Sequence, residues 1–472
     1  MDRTTDRASA APTETGVNEP LSNDSILVRW APALRHDYFR WYLIGHLLSV
    51  IGGWMQDAGL RWYVQVLTKE VGSEQWLGIT GAMAALPIII FSPLGGALAD
   101  RLPKRLLIAA TQSADMALAF SLGLLVWFDV LPMAWVLVFA VLHGSFLAFD
   151  IPARQSFAIE MVGRSDLMSA IGLNSTIFNL GRLIGPMSAG IAMFAGGVIA
   201  RQAMDWGVTP PGTMDPTRAG VAACFFLNGF SFLGLILLLI FLPTPAKEGN
   251  GPPAVVPRGR SLNLMEGFQT VMARRQSLGL LACLLLFLLA GGSYTTLLPA
   301  LADYVLQTNE RGYSLLLTAN GLGSVAGALI VASAHHLRNR RVLIMAGLAS
   351  VALGVVATAA SNNLFLACLS LFITGAGVIL FLASANSTIQ LSVPDRVRGR
   401  VMSVWVAVFG IGMPLGSLLS GYIAVWIGTS QTLWYQGWAT WLAVVLAYFV
   451  LGNESQEVAL PASPPSDTEE IP

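Results

Sequence analysis

Twelve apolar segments, each long enough to cross a bilayer, constrain this chain more than any other feature. They lie near 40–67, 75–99, 105–128, 131–149, 167–198, 219–242, 277–307, 311–335, 341–360, 363–389, 401–427 and 431–452. A spanning helix needs about 20 mostly apolar residues, because lipid offers backbone groups no hydrogen-bond partner. A soluble fold is excluded by the same pattern. Hydrophobic residues make up 54% of the 472 and charged residues 11%, against about 25% charged in an average soluble domain. The chain reads as an all-α membrane protein with twelve transmembrane helices.

The polar stretches divide it. Residues 1–38 read as a disordered cytoplasmic arm and 39–242 as an N-terminal six-helix bundle. Residues 243–276, with Pro252, Pro253 and Pro257, read as a cytoplasmic linker, 277–452 as a C-terminal six-helix bundle, and 453–472 as an acidic cytoplasmic tail. Lys and Arg near span ends are retained on the cytoplasmic side. With the N-terminus inside, 21 of the 27 Lys and Arg fall on inner segments and four on outer loops. Both termini are therefore expected in the cytoplasm, with no cleavable leader.

Other classes drop out. Lys plus Arg equals Asp plus Glu at 27 each, so no basic excess points to nucleic acid. Cys224, Cys283 and Cys368 sit in apolar runs without paired spacing, so no disulfide framework or metal site is expected. Gly-rich runs such as Gly321-Leu-Gly323 lack the Lys-Ser/Thr of a phosphate loop. The expectation is no enzyme, no catalytic residue and no cofactor, with the proton gradient as the energy source. The expected partners are a small-molecule substrate and the bilayer, and the chain is expected to be monomeric.

The halves echo each other. Gly96-Ala-Leu matches Gly327-Ala-Leu, Leu167-Met-Ser matches Val401-Met-Ser, and Gly190-Ile-Ala matches Gly421-Tyr-Ile-Ala, at offsets of 231 to 234. A tandem repeat of like orientation implies two bundles related by a pseudo-twofold axis along the membrane normal.

The stretch Gly96-Ala-Leu-Ala-Asp-Arg-Leu-Pro-Lys-Arg, ending at Arg105, resembles the loop signature of the major facilitator superfamily, with Pro103 in place of a glycine. A degraded copy follows Gly327. Gly53-Trp-Met-Gln, Ile151-Pro-Ala-Arg-Gln, the run from Leu173 to Pro186, and Arg398-Gly-Arg-Val-Met-Ser are similar to the superfamily's subgroup containing the enterobactin exporter. The resemblance spans about Phe39 to Leu451. It implies alternating access in a bacterial inner (cytoplasmic) membrane.

The resemblance gives the loop a gating role. Asp100, flanked by Gly96, Arg101, Lys104 and Arg105, is expected to meet the N-terminus of the eleventh helix near Arg400, where the helix dipole favours an anion. That latch would hold an outward-open state. Gly181, Arg182, Gly185, Pro186 and Gly190 match a fifth-helix motif that resembles that of exporting antiporters. Small residues at this spacing also bring helices close, whatever the function.

Charges inside spans are costly and usually functional. Asp57 and Arg61, four apart, share a face of the first helix, and Arg182 can compete for Asp57. Asp115 has no cation nearby in sequence, and a desolvated unpaired carboxyl takes up protons readily. Asp115 is thus the first proton-coupling candidate and Asp57 the second. His46 and His143 are also embedded. Trp54, Gln56, Asn174, Phe178, Tyr294, Asn386 and Trp405 are the expected cavity residues, a mixture suited to a bulky amphipathic solute. The expected function is secondary active transport: a proton-coupled antiporter exporting drugs or a siderophore-like metabolite. The alternative is a nutrient uptake symporter of the same fold.

Overall fold

A computed structural model of the chain describes residues 31–163, 165–207, 215–241, 264–333 and 340–452. Most of the expected arm, much of the linker, residues 334–339 after Gly327 and the acidic tail lie outside the described residues.

The described residues contain helices and turns with no strand. We number the long helices α1 Asp37–Leu67, α2 Ser73–Arg101, α3 Lys104–Trp127, α4 Met133–Val162, α5 Leu167–Asp205 and α6 Pro216–Phe241. They continue as α7 Arg275–Val305, α8 Glu310–Ser333, α9 Arg340–Ala359, α10 Leu364–Ser392, α11 Asp395–Ile427 and α12 Thr429–Gly452. All except α1 are long and apolar enough to cross a membrane. α1 falls short because its most apolar stretch also carries the polar residues His46, Ser49, Gln56 and Asp57. Much of that polarity is paired inside the protein, which a composition measure does not register.

Turn chemistry fixes several boundaries. Gly72 and Gly428, both at φ 87°, take a left-handed conformation between α1 and α2 and between α11 and α12. The Asn363 side chain caps α10 by accepting from the amides of Phe365 at 2.8 Å and Leu366 at 3.4 Å. α7 is irregular: a 3-10 segment, Gly291–Leu297, and a π-helical turn, Leu301–Val305, interrupt it. Such interruptions frequently mark functional sites.

Some boundaries differ from the sequence reading. Residues 32–35, assigned to the arm, form a 3-10 turn, and Arg35 and His36 hold Asp166 at 2.7 and 2.9 Å. Within the expected linker, Leu264–Met272 is a short helix. α4 runs 13 residues beyond position 149, carrying Asp150 and Arg154 into the helix. They read as loop residues because they are charged and flank Pro152. Their ion pair, four residues apart, lets the helix continue. α11 begins at Asp395 rather than near Arg400, after Pro394.

Packing repeats along the chain. α1 packs on α5 and α6, α2 on α4, and α3 on α4 and α6. Six helices later, α7 packs on α11 and α12, α8 on α10, and α9 on α10 and α12. Between the sets, α2 packs on α11 and α5 on α8, two pairs that exchange under the same shift. Close approach is built in: a Cβ on Gly78 would lie 2.6 Å from the Ser417 carbonyl oxygen, and one on Gly321 2.9 Å from that of Arg182.

Candidate functional site

Where these helices meet they enclose a cavity of about 600 Å³. Its wall combines apolar and aromatic side chains (Trp54, Phe178, Phe287, Phe409) with the amides Asn174, Asn179 and Asn320 and the ions Asp57, Arg61 and Arg182. The aromatic–amide mixture follows the expected chemistry, and Trp54, Asn174, Phe178 and Tyr294 line it.

Three expected residues do not. Gln56 accepts from Asn228 of α6 at 2.8 Å, because one residue along a helix turns the side chain about 100° from the face of Asp57. Asn386 accepts from Gln390 at 2.6 Å, and α10 instead offers Val378, Ile379 and Leu382. Trp405 is buried beside Phe409, and it is Phe409 and Met413 that reach the cavity from α11. Both misplacements are one to two turns, a depth error. Sequence periodicity gives the face of a helix without its height in the bundle.

The fifth-helix motif sets the distance of α5 from two neighbours. A Cβ on Gly185 would lie 2.4 Å from the Trp54 Cβ, and one on Gly181 2.4 Å from Val50 Cγ1, so both glycines seat α5 on α1. Gly190 faces Ser314 of α8. Pro186 is buried and lines the cavity.

Arg61 donates to Asp57 at 2.9 Å. The Asp57 side chain is 46% exposed, facing the cavity. Arg182 does not compete for it and donates instead to Asn320 Oδ1 at 3.3 Å, across the α5–α8 contact. Asp115, expected to lack a partner, is paired: His143 Nδ1 lies 2.9 Å from its carboxylate, and its side chain is only 3% exposed. The partner comes from α4, 28 residues away, beyond any local spacing rule. His143 also borders a pocket of about 50 Å³ that touches Asp57 and Arg61.

A second network escaped the sequence reading. Asp150, 3% exposed, pairs with Arg154 and accepts from Thr111 at 2.8 Å. Arg154 meets His46, and His46 lies 3.0 Å from Asn174 of the cavity wall. Ser49 and Gln112 extend it. The signal was the i,i+4 spacing of Asp150 and Arg154, hidden by the early end assigned to α4.

Polar contacts between the first six and last six helices gather where α1 ends and α2 begins. Asp303 of α7 accepts from Gln65 at 3.1 Å and Lys69 at 2.7 Å. Tyr304 donates to the Lys69 carbonyl at 2.9 Å, and Thr429 donates to Glu74 at 3.0 Å. At the opposite end, Asp100 and Arg101 are exposed. Asp100 has no hydrogen bond or ion pair among the described residues. Lys104 bonds Glu160 at 2.5 Å, and Arg105 donates to the Leu239 carbonyl. A Cβ on Gly96 would meet nothing within 4 Å, whereas one on Gly95 would strike the Ala148 carbonyl oxygen, so Gly95 makes the close contact with α4.

The chain is similar to known transporters along most of its length. The staphyloferrin A transporter of Staphylococcus aureus is 26% identical over 416 residues, covering 87% of this chain and 96% of that protein. The enterobactin exporter EntS of Shigella boydii is 24% identical over 436 residues, covering 91% and 96%. Among solved structures, a bacterial homologue of the human lysosomal transporter Spinster, inward-facing and unoccupied, superposes with a TM-score of 0.69 at 16% identity, covering 88% of this chain and 97% of that one. That likeness shows the fold. The family of transmembrane secretion effectors (MFS_3) matches residues 28–206 and 216–470. This chain belongs to that family: it is a multi-pass membrane transporter of the major facilitator type, not an enzyme.

Proposed function

We propose that the protein is a proton-coupled antiporter that exports amphipathic organic molecules of siderophore or drug type from the bacterial cytoplasm. The observation carrying this is the 600 Å³ cavity, whose wall joins aromatic faces to amides and ions. Such a wall suits a bulky solute with both polar and apolar parts. The siderophore transporters among its relatives agree with that chemistry. The small-residue motif of α5 favours export over the uptake alternative.

In this reading twelve helices form two six-helix bundles related by a twofold axis, as the repeated packing supports. The protein sits in the inner membrane with both termini and the α2–α3 turn in the cytoplasm, following the distribution of cations. The Lys69–Asp303 end then faces outward and is shut, and the structure is inward-facing. Exposed Asp100 is its latch in the released position. It engages the N-terminus of α11 in the outward-open state.

Coupling is assigned to Asp57 before Asp115. Asp57 meets the cavity directly, whereas Asp115 lies behind His143. Protonation of Asp57 from outside releases Arg61, and deprotonation inside restores the pair. Purified protein in proteoliposomes tests the proposal. An imposed pH gradient should drive accumulation of an amphipathic substrate against its concentration gradient. Movement of substrate in the same direction as protons would instead establish the symporter.

A further inference from the structure

Arg182 is a half-buried cation of the cavity wall without a counter-ion. Arg61 has Asp57 and Arg154 has Asp150, but among the described residues no carboxylate oxygen lies within 4.0 Å of Arg182. Its neighbours are neutral: Asn320 Oδ1 at 3.3 Å and the Tyr294 hydroxyl. Since Asp57 is already matched by Arg61, the ions lining the cavity carry one positive charge in excess. A guanidinium offers five donors in a planar fork that matches a carboxylate in a bidentate pair. An arginine partly withdrawn from water without an anion is costly, and an arriving anion relieves that cost.

The surroundings say what the anion is attached to. Phe178 stands one helical turn from Arg182 on α5, edge-to-face with Trp54 at 5.6 Å. A carboxylate seated on Arg182 directs its ring or apolar body toward these two faces. Asn320 belongs to α8, and Gly321 beside it abuts the Arg182 backbone. An anion that takes the guanidinium therefore competes with a bond that joins α5 to α8.

We propose that Arg182 is the anion-binding residue of this cavity, selecting aromatic or apolar molecules that carry a carboxylate, and that binding displaces its bond to Asn320. The proposal rests on the cavity being the transport site. The test uses the purified full chain in nanodiscs, with 2-naphthoate and its neutral counterpart 2-naphthamide as probes, read by isothermal titration calorimetry. The wild type should bind the acid about tenfold more tightly, as a charge-assisted bond predicts. Arg182→Gln should remove that preference while the amide loses no more than the few-fold affinity of one neutral hydrogen bond, and that retained amide binding also reports folding. Arg182→Lys, retaining the charge without the fork, should keep part of it. If Arg182→Gln loses the amide as well, Arg182→Lys decides: an unaltered acid-to-amide ratio overturns the proposal and a reduced one supports it. Equal binding of acid and amide by the wild type, or a preference surviving in Arg182→Gln, overturns the anion site and leaves the transport reading standing. Absence of binding by both probes rejects the site. Counterflow of other solutes then judges the transport reading independently.

Discussion

Lys69 and Asp303, separated by 234 positions in the chain, meet at 2.7 Å and join the end of α1 to the π-helical turn of α7. Gln65 reaches the same carboxylate at 3.1 Å. The two donors come from one half and the acceptor from the other, so the contact exists only while this end is shut. Asp303→Asn should favour the opposite state. Exposed pairs of this kind contribute about 0.2–1 kcal/mol, and 1 kcal/mol changes a two-state ratio about fivefold. Spin-label distances across the α1–α2 and α7–α8 connections should show that shift, and an unchanged distribution would remove this pair from the gate.

The coupling assignment separates two carboxylates. Asp57→Asn should abolish accumulation driven by a pH gradient while substrate exchange down a gradient continues. Asp115→Asn should slow accumulation without abolishing it, since its carboxylate is reached through His143. Proteoliposome flux measurements with both variants check this, and the reverse ranking returns the role to Asp115.

Asp150→Asn should be severely destabilising. It leaves Arg154 as a buried cation without its counter-ion, a loss that typically costs about 3–5 kcal/mol. The double variant Asp150→Asn with Arg154→Gln should lose less than the two single changes combined, because neither charge is then stranded. Thermal unfolding in detergent would compare the three, and simple additivity would rule out the coupling.

Two glycines on the motifs should respond oppositely. Gly185→Leu forces a side chain into Trp54 and Ile51, and overpacking of this kind costs about 1–3 kcal/mol, so the melting temperature should fall. Gly96→Ala enters open space and should leave stability equal or slightly raised, because alanine restricts the unfolded chain. A fall with both changes would contradict the inferred contacts.

Membrane orientation can be read with single cysteines in a Cys368→Ser background, where the remaining native thiols are buried. A cysteine at exposed Glu70 should react with an impermeant maleimide in intact cells, and one at exposed Arg101 should not. Labelling in the reverse pattern would invert every gate described above.

The sequence by itself determined the class of fold. Hydrocarbon admits few solutions for a polar backbone, so runs of about 20 apolar residues leave little besides helices. The Asp57–Arg61 pair was also legible, because residues four apart must share a helix face. Only the tertiary structure decided what depends on height and on partners far along the chain. It moved the cavity contacts of α10 and α11 by one or two turns, gave Asp115 the histidine of α4, and turned Arg182 toward Asn320. It also drew Asp150 and Arg154 into the membrane helix, where each neutralises the other. The physical reason is common to all of these. Periodicity fixes the angle of a side chain around its own axis, whereas the charge it meets is set by how neighbouring helices slide and cross.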